Sequence, residues 1–217
     1  PLLVKIIDAK DDLSIQVHPD DAYAKAHENG SLGKTECWFI LDCKENATLV
    51  VGHNAKTKEE LEQMIHEGRW KEFIREIPIK PGDFIQIDPG TVHAIKGGTL
   101  LLETQQSSDI TYRVYDYDRL SNGKPRQLHI VQSIDVITVP AKSADNSVVH
   151  IEKKDDAIQQ LIQCPYYTVY RIDVEHRVET WQDKPFALMS VVEGEGTLNG
   201  TPVSYTHLRA HETLMNL

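Results

Sequence analysis

Apolar residues in this chain recur mostly at every second position, in short runs broken by glycine and proline. In Leu13-Ser14-Ile15-Gln16-Val17-His18 this period puts Gln16 and His18 on one face of a strand and Ile15 and Val17 on the other. Residues 36–41 and 47–52 read as apolar strands. The turn Lys80-Pro81-Gly82-Asp83 feeds Phe84-Ile85-Gln86-Ile87, and 100–105 and 111–117 continue the sheet. A helical period interrupts three times. Residues 19–29 open on Pro19-Asp20-Asp21 and stop at Gly30. Thr57-Lys58-Glu59-Glu60 is a capping box, followed by Leu61, Met64, Ile65, Trp70, Phe73 and Ile74 at helical spacing, with Gly68 dividing the stretch. Residues 126–136 predict a helix with Leu128, Val131 and Ile134 inward, and 138–147, with Pro140, a linker. A second β segment, 166–202, carries the hairpin signal Glu193-Gly194-Glu195-Gly196 and the turn Asn199-Gly200. Short strands with glycine-rich turns predict a mainly β jelly roll.

Composition narrows the function. The 217 residues are 40% hydrophobic, enough for a core, and carry a net charge of −10, which argues against nucleic acid or an anionic membrane as partner. No apolar run reaches transmembrane length, and none reads as a secretory signal. Cys37, Cys43 and Cys164 lack zinc-ribbon spacing, so reduced thiols in a cytoplasmic protein are expected. The chain starts on a strand-like Pro1-Leu2-Leu3-Val4. From Val203 it resembles the conceptual translation of a sequencing adapter, so the i, i+4 pair His207 and His211 is discounted as a metal site.

The chemistry concentrates elsewhere. Gln16 and His18 share a strand face, Glu36 stands in Gly33-Lys34-Thr35-Glu36-Cys37, and His93 closes the turn Pro89-Gly90-Thr91-Val92-His93. Two imidazoles, a carboxylate and an amide oxygen suit zinc or a similar first-row ion. Lys34, on the same face as Glu36, favours an anionic, oxygen-rich ligand beside that ion. His27, His53, His66, His129, His150 and His176 have no ligand-like partners and read as structural; Trp38, Trp70 and Trp181 read as core. Tyr112, Tyr115 and Tyr117 alternate near Arg113, and some are expected to line the pocket.

Four motifs in register carry a family resemblance: Gln16-Val17-His18-Pro19-Asp20-Asp21, Gly33-Lys34-Thr35-Glu36, Pro89-Gly90-Thr91-Val92-His93-Ala94 and Ser108-Asp109-Ile110-Thr111-Tyr112-Arg113. Together they resemble the type I mannose-6-phosphate isomerases, most closely the short bacterial form. The resemblance implies a cupin-type double-stranded β-helix with a helical insertion and a second, incomplete cupin barrel. It implies one Zn2+ per chain on Gln16, His18, Glu36 and His93, with Lys34, Arg113 and Glu103 as catalytic residues and Lys34 and Arg113 binding substrate. The implied reaction interconverts mannose 6-phosphate and fructose 6-phosphate through an enediol. The implied partner is a small sugar phosphate, with no nucleic acid and no membrane. The expected division is 1–137 as the metal-binding cupin domain with its N-terminal part missing, 138–149 as linker, 150–202 as a truncated, non-catalytic cupin-like domain and 203–217 as a foreign tail.

Two rivals stand beside this reading. A cupin oxygenase with iron or manganese usually carries His-x-His, where this chain has Gln16-x-His18. A non-catalytic sugar-phosphate-binding paralogue would be favoured by loss of Lys34 or Arg113, and both are present.

Overall fold

The computed structural model describes residues 2–144, 147–149, 157–181 and 183–204. It divides into two units, Pro1–Ile151 and Glu152–Leu217.

In the first unit the short alternating runs pair into two five-stranded antiparallel sheets. One orders β1 (Leu2–Ala9), β8 (Thr99–Gln106), β3 (Glu36–Cys43), β6 (Phe84–Ile87) and β12 (Val148–Val149). The other orders β5 (Ile74–Pro78), β4 (Thr48–His53), β7 (His93–Ala94), β2 (Ile15–Val17) and β9 (Tyr112–Tyr115). Alternation decides which core each residue joins. Val51 meets Trp38, Ile40, Ile85, Ile87 and Leu101 from the facing sheet, whereas its neighbour Val50 joins Ile15, Val17 and Ala94 on the outer face. Helices cover that outer face, where Leu61, Met64 and Ile65 of α2 (Lys58–His66) and Phe73 of α3 (Trp70–Phe73) are buried. Each large apolar side chain removed from water contributes about 1.5–3 kcal/mol, so the two cores hold the barrel and its helical cover together. This is the mainly β cupin architecture expected.

The local signals played out with informative shifts. Asp20 caps α1 (Asp21–His27), its Oδ1 accepting from the Tyr23 amide at 2.8 Å. Thr57 accepts from Glu60 N at 3.2 Å, but the Glu60 carboxylate reaches back past Thr57 to Lys56 N at 2.6 Å. Gly68, at φ +66, separates α2 from α3 as expected, while Ile74 opens β5 instead of extending the helix.

The last helix of this unit corrects the sequence reading. The described helix is Ile130–Val136, preceded by the hairpin of β10 (Leu120–Ser121) and β11 (Lys124–Pro125). Its inward face runs through Ile130, Ser133, Ile134 and Ile137, leaving Leu128 40% and Val131 71% exposed. The described residues of 138–149, where a linker is expected, are tied to the first unit. Thr138 N donates to Gly90 O at 3.0 Å, Arg75 Nη2 to Lys142 O at 2.7 Å and Gln86 N to Ser147 O at 2.8 Å. β12 then pairs with β6, so the segment closes a sheet edge that would otherwise expose unpaired backbone groups.

In the second unit β13 (Ile158–Gln163) pairs with β14 (Thr168–Ile172), and β15 (Glu195–Leu198) with β16 (Thr201–Ser204). Asn199 and Gly200, at φ +50 and +82, form the expected tight turn of the second hairpin. β13 lies before the segment expected to be β, and the Gly194 turn leads into β15 rather than closing a hairpin. β16 runs to Ser204, past the expected start of a foreign tail. Trp181 is 92% exposed and not core. His150, His207 and His211 lie outside the described residues. The three cysteines are free thiols, and no described helix is long and apolar enough to cross a membrane.

Candidate metal centre

One row across the second sheet gathers three of the candidate residues. Gln16 is the register partner of both His93 on β7 and Arg113 on β9, so the three side chains share the inner face. A bulge between Ile15 and Gln16 makes Tyr115, not Val114, the partner of Ile15. Tyr115 therefore turns outward, where it stacks on Trp70 at 4.4 Å, and Arg113 alone faces inward. Tyr112 is buried in the same outer core and Tyr117 packs against it, so the tyrosines do not line the pocket.

The facing sheet supplies Glu36 at the start of β3, and the loop before it places Lys34. That loop is pinned at every step. Gly33 N donates to Asp21 Oδ1 at 2.8 Å, Lys34 N to Pro19 O at 3.0 Å and Thr35 N to Gln106 Oε1 at 2.8 Å. The Gln106 amide returns to Asp21 Oδ1 at 3.0 Å. A Cβ on Gly33 would meet the Asp20 carbonyl carbon at 2.4 Å, so only glycine lets the loop lie this close to α1.

The ligand atoms converge. His18 Nε2 lies 3.5 Å from Glu36 Oε2, and His93 Nε2 lies 3.4 Å from Glu36 Oε1. His18, Glu36 and His93 are all fully buried and offer ligand atoms within 4.8 Å of one another. Tetrahedral ligands about 2.1 Å from a zinc ion are separated by roughly 3.4 Å, so these spacings fit. Each imidazole is oriented from behind. His18 Nδ1 donates to Ile110 O at 2.9 Å and His93 Nδ1 to Thr91 O at 2.8 Å, leaving both Nε2 lone pairs turned to Glu36. Neither Glu36 oxygen has an aligned hydrogen-bond donor. Lys34 Nζ makes a charge contact with Oε2 at 2.9 Å without that alignment, and a hydrogen bond to His18 Nε2 at 3.2 Å. Gln16 Nε2 is 3.3 Å from His93 Nε2, and a half-turn of the amide would bring its oxygen to the same place.

The electrostatics suit a cation. Burial holds His18 down to about 4, against an opposing pull from Glu36, and burial likewise lowers His93. For Glu36 burial pushes upward, but Lys34 and the two imidazoles outweigh it and hold the carboxyl well below its ordinary range. Neutral imidazoles around an ionised carboxylate are the protonation states that a divalent ion requires.

Arg113 and Glu103 stand differently. The Arg113 guanidinium donates through Nη1 to Gln127 O at 2.8 Å, and its buried Nε has no hydrogen-bond partner. Arg113 forms no ion pair with nearby Asp116, which is taken by Arg119 and Arg126. Glu103 is inward and buried, but its carboxylate is held by Lys5 Nζ at 3.0 Å and Trp38 Nε1 at 3.1 Å. Trp38 in turn stands edge-on to His93, with ring centroids 5.5 Å apart. Lys5, also bonded to Gln105 Oε1 at 2.6 Å, belongs to this wall and was not singled out from the sequence. Its signal was a lone cation inside the apolar run Val4-Lys5-Ile6-Ile7.

The family model for the cupin domain of mannose-6-phosphate isomerase matches residues 157–208. Mannose-6-phosphate isomerase ManA of Bacillus subtilis is 53% identical over 199 residues, 91% of this chain and 63% of that protein. The mannose-6-phosphate isomerase of Streptococcus mutans is 49% identical over 91% of this chain and 62% of its own length. The crystal structure of the Bacillus subtilis mannose 6-phosphate isomerase superposes with a TM-score of 0.83 at 49% identity, covering 90% of this chain and 63% of that one. The chain thus spans somewhat less than two thirds of the length of these relatives. Half-identity across nine-tenths of the chain, on a shared fold, makes it a member of the mannose-6-phosphate isomerase family.

Proposed function

We propose that the protein to which this chain belongs is a zinc-dependent aldose–ketose isomerase that interconverts mannose 6-phosphate and fructose 6-phosphate. The observation that carries the reading is a buried Glu36 faced by two imidazole Nε2 atoms at 3.4–3.5 Å, with the Lys34 ammonium 2.9 Å away. His18, Glu36 and His93 would hold the ion, with the Gln16 amide oxygen as fourth ligand. A bound divalent ion supplies Lewis-acid stabilisation of negative charge on the sugar oxygens.

The residues of this chain do the rest. Isomerisation removes the proton from C2 of the aldose, passes through an enediol and returns a proton to C1. Lys34 and Glu103 are the two groups assigned to move that proton. Arg113, on the same face as Gln16, offers its Nε to the developing oxyanion or to the phosphate, a charge-assisted contact strongest where water is excluded. Lys5 balances Glu103 and keeps its carboxylate fixed on Trp38.

The test is direct. Full-length, metal-replete protein is incubated with mannose 6-phosphate in deuterated water. Formation of fructose 6-phosphate with deuterium at C1 supports proton transfer through an enediol. No turnover at all would sink the isomerase reading, and turnover without exchange would favour a hydride shift.

A further inference from the structure

Three arginines crowd one buried carboxylate beside the proposed site, and the carboxylate serves only two of them. Asp116 is 3% exposed and follows β9 directly. Its Oδ1 accepts from Arg119 Nη2 at 2.6 Å, and both its oxygens accept from Arg126, Nε reaching Oδ2 at 2.7 Å and Nη2 reaching Oδ1. Arg119 is further tied by Nε to Asp116 O at 3.2 Å and by Nη1 to Asp12 O at 2.5 Å. These two arginines flank the exposed hairpin of β10 and β11, so Asp116 locks both of its limbs. The returning limb then runs beside β9. His129 N donates to Arg113 O at 2.8 Å, Arg113 N donates to His129 Nδ1 at 3.2 Å, and Gln127 O takes Arg113 Nη1 at 2.8 Å.

We propose that Asp116 is a positioning residue for Arg113: by engaging Arg119 and Arg126 it fixes the limb that carries Gln127, and it leaves the Arg113 guanidinium without a carboxylate partner and free for an anionic substrate. This inference rests on the sugar-phosphate reading of the site. Two features support it. Among the described residues no carboxylate forms an ion pair with Arg113, although Asp116 is only three positions away. The buried Nε of Arg113 is left without an acceptor, which is costly unless a ligand supplies one. Were Asp116 to turn to Arg113, the guanidinium would be neutralised before substrate arrived. Arg119 and Arg126 prevent that by occupying both oxygens.

A double-mutant cycle tests it in full-length, metal-loaded protein. Affinity for fructose 6-phosphate is measured by calorimetry for the unaltered protein, Asp116→Asn, Arg113→Lys and the pair, with metal content determined alongside. Asp116→Asn is expected to weaken binding on the order of tenfold with metal content unchanged, and Asp116→Glu to recover most of the loss. The double variant is expected to be little weaker than the weaker single one, because both changes act through one guanidinium. Independent losses that multiply to about a hundredfold, or unchanged affinity in Asp116→Asn, would overturn the proposal. Should Asp116→Asn not fold, Arg126→Gln replaces it in the cycle, since it frees one Asp116 oxygen to capture Arg113. Isomerase turnover is recorded in parallel: its absence in unaltered protein that still binds fructose 6-phosphate counts against the proposed function, while the affinity cycle still decides the role of Asp116. Failure of the unaltered protein to bind fructose 6-phosphate overturns both.

Discussion

A Cβ built on Gly33 meets the Asp20 carbonyl carbon at 2.4 Å and the Asp21 amide nitrogen at 2.5 Å, both backbone atoms at the start of a capped helix. Neither can yield without moving α1, so Gly33→Ala is expected to push the loop and carry Lys34 with it. A shift of about 1 Å in a catalytic group can lower turnover ~100-fold, and crowding of this kind typically destabilises by about 1–3 kcal/mol. Gly30→Ala is the control. Gly30, at φ +83, has open space around it, so alanine there strains only the backbone, by about 1–2 kcal/mol. Comparable losses in melting temperature with a turnover loss confined to Gly33→Ala would check the assignment. The buried imidazoles set a pH limit in the metal-free protein. His18 is lowered to about 4 in the folded state from an ordinary 6.5. Between those values the unfolded chain binds a proton that the folded chain refuses, so stability falls as pH drops from 6.5 towards 4, by roughly 3 kcal/mol at the lower end. Glu36, held well below its ordinary range, adds a further loss in more acidic solution. Denaturant titrations of chelated protein at pH 7.5 and pH 4.5 measure this; equal stability at both would contradict it.

The helix Ile130–Val136 shows where periodicity misleads. Leu128, Val131 and Ile134 are spaced three apart and look like one face. In the structure residues 126–129 are still part of the limb bonded to Arg113, and His129 provides no side-chain cap. The helix therefore starts later, on the face of Ile130 and Ile134. Ile134→Ala is expected to cost about 2 kcal/mol, and Val131→Ala less than about 0.5 kcal/mol, by urea denaturation. Elements with their own local signals were legible: the β2 alternation, the Asp20 and Thr57 caps, the Gly68 break and the Asn199-Gly200 turn. Elements fixed by distant partners were not. β12 is a strand because β6 has a free edge, and nothing in 138–149 announces that. The bulge that turns Tyr115 away from Arg113 is equally silent, since Tyr112, Val114 and Tyr115 all have outer-core partners.

Across the molecule, a chain of net charge −10 sets Lys34 against a buried His–Glu–His cluster and turns Lys5 and Arg113 inward from the two facing sheets. Local positive charge in a globally acidic protein is what a phosphorylated substrate requires. Of the four residues that the sequence offers as a metal site, His18, Glu36 and His93 converge, and the signal was two imidazoles and a carboxylate in turn-strand contexts. Lys5 and the Asp116 clamp were not legible, because their partners lie about a hundred residues away or belong to a charge-rich hairpin. The family model matches the second unit, whereas every residue of the cluster lies in the first, so metal content and catalysis are properties to be measured on the full-length protein. The most direct measurement is a zinc titration of chelated full-length protein, with mannose 6-phosphate turnover followed at each addition. Turnover is expected to rise linearly from near zero and break at one equivalent per chain, and Glu36→Gln to abolish the rise. Undiminished turnover in protein shown to be metal-free, or none after full loading, would contradict the account.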